Sequence, residues 1–239
     1  MLEAKKSLSQ NFLIDKNICK KILNLVNVKN ENILEIGPGY GFLTDMILQN
    51  KPKKLYLIEK DIELSKHLKK KYINLKNVII INEDVLRFNL NNLKNIKIIS
   101  NLPYNVSTKI ILYLFRYNYK IKEMIVMLQK EVAEKFDYNL PKMNKYKFIT
   151  NIVSSFSKCF DVSSEVFKPK PKIKSAVVKF EFNKINFDIN KAYTFSNLIF
   201  KNVRKKIYNN INIRNKDEIL NKRVNELSID ELLYIYNLF

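Results

Sequence analysis

Glycine is almost missing from this chain. Three glycines stand in 239 residues, where ordinary usage of about 7% would give roughly five times as many. Tryptophan is absent, histidine occurs once and cysteine twice. One histidine with Cys19 and Cys159 far apart, and no CxxC pair, exclude an ordinary zinc site and a disulfide framework; no metal is expected. No apolar run approaches the roughly 18 residues of a membrane helix. The opening "MLEAKKSLSQNF" has basic residues without an apolar stretch behind them, so neither a secretory signal nor membrane association is expected. A reduced, cytoplasmic setting fits these absences. Acidic residues are also scarce, 23 Asp+Glu against 43 Lys+Arg for a net charge of +20. Charge of that size speaks of a polyanionic partner, nucleic acid before membrane. The richness in Lys, Asn and Ile is also what AT-biased codon usage would produce. Surface lysines alone therefore do not prove binding, and surviving glycines become informative.

What is present is a regular alternation. Apolar runs at 32–36, 54–58, 78–82, 96–100 and 123–128 alternate with helix-like stretches at 41–50, 61–72 and 107–117. Near-continuous apolar strands between helices predict a parallel sheet covered on both faces. Further on, 130–136 and 147–157 read as helices around a polar loop at 137–146. Strand-like 159–163 and 175–182 suggest an antiparallel hairpin at the sheet edge. Beyond residue 184 the character changes: 195–211 and 224–239 read as helices, the latter with Ser228 and Glu231 spaced as a capping box. Two domains are expected, 1–184 and a small all-helical 185–239.

All three glycines fall in "NILEIGPGYG", a strand running through Gly37, Gly39 and Gly41 into a helix. Glycine permits positive φ and lets a ligand approach backbone without a Cβ between them. No Lys-Ser/Thr follows, so the turn is not a phosphate-binding P-loop, and GxGxG spacing is a poor dinucleotide fingerprint. Glu59 ends the next strand, where an acid takes ribose hydroxyls in such folds, and Asp84 follows the third, placed to meet an adenine amino group. Together these residues describe an adenosine pocket. The arrangement resembles the Rossmann-like, class I S-adenosylmethionine-dependent methyltransferases: an α/β fold with a mostly parallel sheet.

The fourth strand runs into "SNLPYNVST" (100–108), which matches the N-[LI]-P-[YF] motif of methyltransferases acting on the exocyclic amine of adenine. That nitrogen is a poor nucleophile because its lone pair is delocalised into the ring. Acceptors at its two protons, from the Asn101 side chain and the Leu102 carbonyl, would favour a pyramidal nitrogen. Pro103 would fix the turn and Tyr104 would stack on the base.

With these residues in view, the chain resembles the small-subunit ribosomal RNA adenine dimethyltransferase family nearly from end to end. "SLSQNFLID" (7–15) is similar to the family's N-terminal motif, which implies cofactor contacts from Asn11 and Leu13. "MLQKEVAEK" (127–135) and the helical C-terminal segments also match. "VFKPKPKIKSAVV" (166–178) resembles the family's F-x-P-x-P-x-V-x-S-A-V motif, which implies that Phe167 packs on a flipped adenine. Ile173 replaces the usual valine, the loop at 137–146 lacks the glycine common there, and the C-terminal part is short. The resemblance implies S-adenosylmethionine as cofactor. It also implies two methyl groups on each of two neighbouring adenines in the 3′-terminal hairpin of 16S rRNA, within a pre-small-subunit particle. The macrolide-resistance 23S rRNA adenine methyltransferases share the motif, and a non-catalytic nucleic-acid-binding factor could share the scaffold.

RNA contacts are expected where cations concentrate beside the target pocket. From Pro141 to Lys184 there are ten lysines against three acids, and Lys168, Lys170, Lys172 and Lys174 alternate through the proline-containing stretch. Arg204, Lys205 and Lys206 form a second candidate. Nothing in the sequence demands a dimer, and a monomer is expected.

Overall fold

The computed structural model describes residues 11–182, 187–213 and 217–239; the expected motif residues 7–10 and Lys184 lie outside them. Nine strands occur among the described residues. They are β1 (Phe12–Leu13), β2 (Asn32–Ile36), β3 (Lys54–Glu59), β4 (Val78–Asn82), β5 (Ile96–Asn101), β6 (Ile121–Gln129), β7 (Ser154–Val162), β8 (Phe167–Lys168) and β9 (Ser175–Phe182). Seven form one sheet in the order β4-β3-β2-β5-β6-β9-β7, and β1 pairs with β8 alone. The pairs β4-β3, β3-β2, β2-β5 and β5-β6 are parallel, whereas β9 runs antiparallel to β6. This is the expected Rossmann-like α/β fold. Ile33, Leu34, Leu55, Leu57, Ile98 and Ile99 have no exposed surface, as strands with helices on both faces require.

The helices are α1 (Lys16–Leu23), α2 (Phe42–Gln49), α3 (Ile62–Lys71), α4 (Ser107–Phe115), α5 (Lys130–Phe136), α6 (Lys145–Val153), α7 (Ile189–Ile199) and α8 (Ile229–Leu238). Short polar side chains start several of them. Asp15, Asp61, Asn144 and Asp188 each accept backbone N–H bonds at an N-terminus, which satisfies donors the helix itself leaves open. Ser228 and Glu231 form the expected capping box at α8.

Two compact units emerge, and their boundary differs from the expected 184/185. One holds the described residues up to Ala133 together with Ser157–Phe182. The other holds Glu134–Phe156 and the described residues from 187 onward. Aromatic packing explains why α6 joins the later helices: the Phe148 ring lies 5.1 Å from Phe195 and 5.8 Å from Tyr236. In this second unit Lys147 is only 3% exposed. Its ammonium donates to the carbonyls of Leu140 and Pro141, both at 2.8 Å. Burial holds that amine below the ordinary lysine range, although Asp137 and Glu134 oppose the shift.

Two expected helices are shorter than the sequence suggested. Residues 154–157 belong to β7 rather than to a helix, because Ser154 and Phe156 are buried while Ser155 and Ser157 are exposed, a period of two. The helix expected over 195–211 ends at Ile199. Continuing it would set Lys201 beside Arg204 and Lys205, three and four residues apart, where like charges repel. Instead the chain turns, buries Ile207 and bonds its N–H to the Lys222 carbonyl at 3.0 Å.

Candidate active site

The chain leaves β2 toward β3 and β4, then returns as β5 on the other side of β2. Strand order reverses there, and a cleft opens beyond the carboxyl ends of the two strands, as this class of sheet dictates. Asn11, Leu13, Gly37, Gly39, Glu59, Asp84 and the run Asn101–Tyr104 all line it. Residues spread over 94 positions of sequence thus meet at one site. Gly41 and Phe167 do not line the cleft.

The glycine turn makes one wall. Gly37, Gly39 and Gly41 have φ of +64°, +58° and +80°, a region other residues enter at a cost. A Cβ on Gly39 would stand 2.7 Å from the Phe12 ring, and one on Gly41 would overlap the Tyr72 hydroxyl. Gly41 starts α2 and packs against Tyr72 just after α3. Gly37 differs: its nearest protein neighbour would be Pro103 at an ordinary 3.8 Å, and it faces the cleft.

Acids line the floor. Glu59 is 6% exposed and accepts bonds from the Gly39 N–H at 3.1 Å and the Asp61 N–H at 2.9 Å. Each carboxylate oxygen keeps capacity for a further donor. Burial pushes the Glu59 carboxyl up, with those two N–H groups acting against it. At the head of the turn Glu35 is buried and accepts the Thr44 hydroxyl at 2.6 Å. Burial raises its carboxyl to about 8 despite that bond. Asp84 pairs with the Lys60 ammonium at 2.9 Å. Burial alone would raise it, but the Lys60 bond and the Leu86 N–H outweigh burial and hold it below the usual range. With Glu35 protonated below about pH 8, the charged lining is Glu59, Glu83 and Asp84 against Lys60. Within a protein of net charge +20, this cleft favours a cationic ligand and disfavours phosphate.

The Asn101–Tyr104 run also lines the cleft. Asn101 ends β5, and its Nδ2 donates to the Asn11 carbonyl at 2.9 Å. Its Oδ1 is buried without a hydrogen-bond partner, and a buried acceptor left open is rare enough to need a reason. Leu102 is 1% exposed and its N–H donates to the Met127 carbonyl at 3.1 Å. Tyr104 is hydrogen-bonded through its hydroxyl to Ser175 Oγ at 2.5 Å. Phe167 meets the Tyr104 ring edge-to-face at a centroid distance of 6.3 Å. Phe167 is 3% exposed and belongs to the core cluster.

Lys168, Lys170, Lys172 and Lys174 are all exposed, as are Arg204, Lys205 and Lys206 in the second unit. The wider basic segment is less uniform than its sequence. Lys147 is buried, Lys158 pairs with Asp161, Lys170 with Glu165, and Lys179 with Glu123 and Glu181. Sequence reasoning missed Phe12, Lys60 and Ser175. Only Phe12 and Ser175 sat inside quoted motifs, where a large aromatic beside a glycine turn and a hydroxyl near a tyrosine were the available signals.

Among the described residues no helix is long and apolar enough to cross a membrane. Comparison with known proteins agrees with the geometry. Ribosomal RNA small subunit methyltransferase A from a Hydrogenobaculum species is 36% identical over 99% of this chain and 94% of its own length. The protein of the same name from Ureaplasma urealyticum is 39% identical over 94% of this chain and 83% of its own. In fold, the chain is similar to a dimethyladenosine transferase from Plasmodium falciparum (TM-score 0.76, 21% identity, 95% and 97% covered). It is likewise similar to the 23S rRNA methyltransferase ErmE (TM-score 0.75, 18% identity, 95% and 98% covered). The sequence pattern of ribosomal RNA adenine dimethylase matches residues 1–238, and with that match across the fold, the cleft and the Asn101–Tyr104 run, the chain belongs to the ribosomal RNA adenine dimethylase family.

Proposed function

We propose that the protein dimethylates the N6 amines of two adjacent adenines in the 3′-terminal hairpin of 16S rRNA, late in small-subunit assembly. The methyl donor is S-adenosylmethionine. The observation that carries the reading is Oδ1 of Asn101, a buried acceptor without a hydrogen-bond partner, on a residue that lines the cleft. The relatives' shared name, ribosomal RNA small subunit methyltransferase A, supports the small subunit as substrate.

The cleft suits the cofactor. Gly37 and Gly39 present backbone without side chains, Asn11 and Leu13 close one side, and Glu59 and Asp84 offer acceptors to the adenosine end. The acidic lining attracts a sulfonium cation. When bound, S-adenosylmethionine supplies an electrophilic methyl group. The protein's part is positioning. Asn101 Oδ1 and the Leu102 carbonyl accept hydrogen bonds from the N–H groups of the adenine amine, which turns its lone pair out of the ring, and each methyl transfer releases one of those protons to water. Pro103 holds the bend and Tyr104 takes the face of the base, with Phe167 behind it. No strong base is required.

An adenine inside a helix stack must first be extruded, and stacking on an aromatic ring returns about 1–3 kcal/mol of that cost. Lys168, Lys170, Lys172 and Lys174, and in the second unit Arg204, Lys205 and Lys206, contact phosphates, so binding weakens steeply with salt. The protein acts in the cytoplasm as a monomer, on the pre-small-subunit particle.

Unmethylated small and large subunits offered separately with labelled methyl donor test the reading. Label enters small-subunit RNA, and mapping places it as dimethyladenosine at two neighbouring positions. Label in large-subunit RNA alone would overturn it in favour of a 23S-directed enzyme. Asn101→Ala loses far more methyl transfer than cofactor affinity; equal loss of both would place that residue at the cofactor instead.

A further inference from the structure

We infer that β1 is a positioning strap: the backbone carbonyl of Asn11 sets the orientation of the Asn101 amide, and the β1–β8 pairing ties that orientation to the lysine-bearing segment from Phe167 to Lys174. The inference rests on Asn101 receiving the target amine, as proposed above.

A carboxamide has two ends of nearly equal size, so something outside it must decide which end faces the cleft. Here the Nδ2 group donates to the Asn11 carbonyl at 2.9 Å, which leaves Oδ1 as the end without a partner. The flipped amide would set oxygen against oxygen at Asn11 and turn two N–H donors toward an amine that needs acceptors. The same contact explains why an amide stands at position 101. An ionised carboxylate there would face the Asn11 carbonyl with no proton between them.

Asn11 is held through the residues that follow it. Its neighbours pair with β8 in the register Phe12 to Lys168 and Leu13 to Phe167, and the Ile14 N–H extends the ladder to the Val166 carbonyl at 3.0 Å. The Phe12 ring packs against Tyr40 at a centroid distance of 4.7 Å and covers the spot where a Gly39 Cβ would sit. The stretch from Asn11 to Leu13 thus touches the glycine turn, the amide of Asn101 and the start of the lysine-bearing segment. Asn11 is a positioning residue, acting through Asn101 by its backbone.

Asn101→Asp separates this role from a merely structural one. Only the protonated carboxyl can donate to Asn11 while offering its other oxygen to the amine. Methyl transfer by the variant, divided by that of the wild type, therefore rises as pH falls, by about tenfold per unit above the carboxyl's own pKa. The groups around the cleft, Glu35, Glu59, Lys60, Glu83, Asp84 and Tyr104, are common to both proteins and cancel in the ratio. A flat ratio with an active variant would overturn the strap. For a variant inactive at every pH, the decisive measurement is amide proton exchange of the Asn101 side chain, assigned by the signal missing in Asn101→Ala. Slow exchange of one Nδ2 proton in the wild type, lost in Phe12→Ala, supports the strap; equally fast exchange in both overturns it. Wild type that methylates neither subunit would instead refute the proposed function, whatever the exchange shows.

Discussion

Seven residues among those described have left-handed backbone, and they fall into two groups. Gly37, Gly39 and Gly41 share one turn; Asn30, Lys51, Asn95 and Lys142 are scattered, with φ of +52° to +62°. All four of the second group are exposed, so their side chains project into water and only the backbone cost remains, about 1–2 kcal/mol each. In the turn, a Cβ on Gly39 or Gly41 would collide with Phe12 or Tyr72. A chain nearly stripped of glycine has kept it where a side chain has no room and given it up where only φ asked for it. Gly37 fits neither group. Its φ is ordinary for the set and its Cβ would meet Pro103 comfortably, so its retention points to what lies in the cleft.

The comparison can be broken most directly at Gly41. Gly41→Ala drives a methyl group into the Tyr72 hydroxyl, and overpacking plus backbone strain should cost about 3 kcal/mol in urea unfolding. A loss of only about 1–2 kcal/mol would show that the site relaxes and that φ alone kept the glycine. Gly37→Ala should cost only about 1 kcal/mol of stability. It should also weaken S-adenosylmethionine by about tenfold, equivalent to a further 1.4 kcal/mol, in calorimetry. Unchanged affinity would remove the cofactor as the reason for Gly37.

Desolvation of the turn gives a third test through Glu35. Its folded carboxyl keeps a proton up to about pH 8, whereas its ordinary value is 4.5. Between those values the native state binds more protons than the unfolded chain, so stability falls as pH rises through the window. Glu35→Gln keeps an acceptor for Thr44 and removes this slope. Melting temperatures of the variant should pull ahead of wild type between pH 5 and pH 8 and match it below; parallel curves would mean the site is wet. The smallest effect is expected at the exposed positions. Lys51→Gly relieves left-handed strain but loosens the unfolded chain, for a net gain of about 0.5 kcal/mol. A loss there would mean that Lys51 makes a contact worth more than its strain.

The parallel sheet was legible because its strands are unbroken apolar runs between helices. Asn101–Tyr104, Glu59 and Asp84 were legible because their chemistry and their place after a strand coincide. What sequence could not supply were partners distant along the chain. Gly41 gave no sign of Tyr72, 31 residues on, whose hydroxyl donates to its carbonyl. Phe167 gave no sign of its strand pairing with Leu13 or its edge-to-face contact with Tyr104. The helix expected over 195–211 failed for a local reason that composition disguised. Its apolar spacing was helical, but its cations were too close on one face to continue. The boundary at 184/185 missed the aromatic contacts that draw α6 to the later helices.

Lys147 carries a consequence of another kind. Its ammonium, fixed between the carbonyls of Leu140 and Pro141, does for the loop before α6 what a bound metal ion does for loops elsewhere: it gathers backbone oxygens around a positive centre. A covalently tethered ion cannot be diluted, chelated or exchanged. The loop's shape is therefore indifferent to the ionic medium, while any grip of exposed lysines on phosphate rises and falls with it.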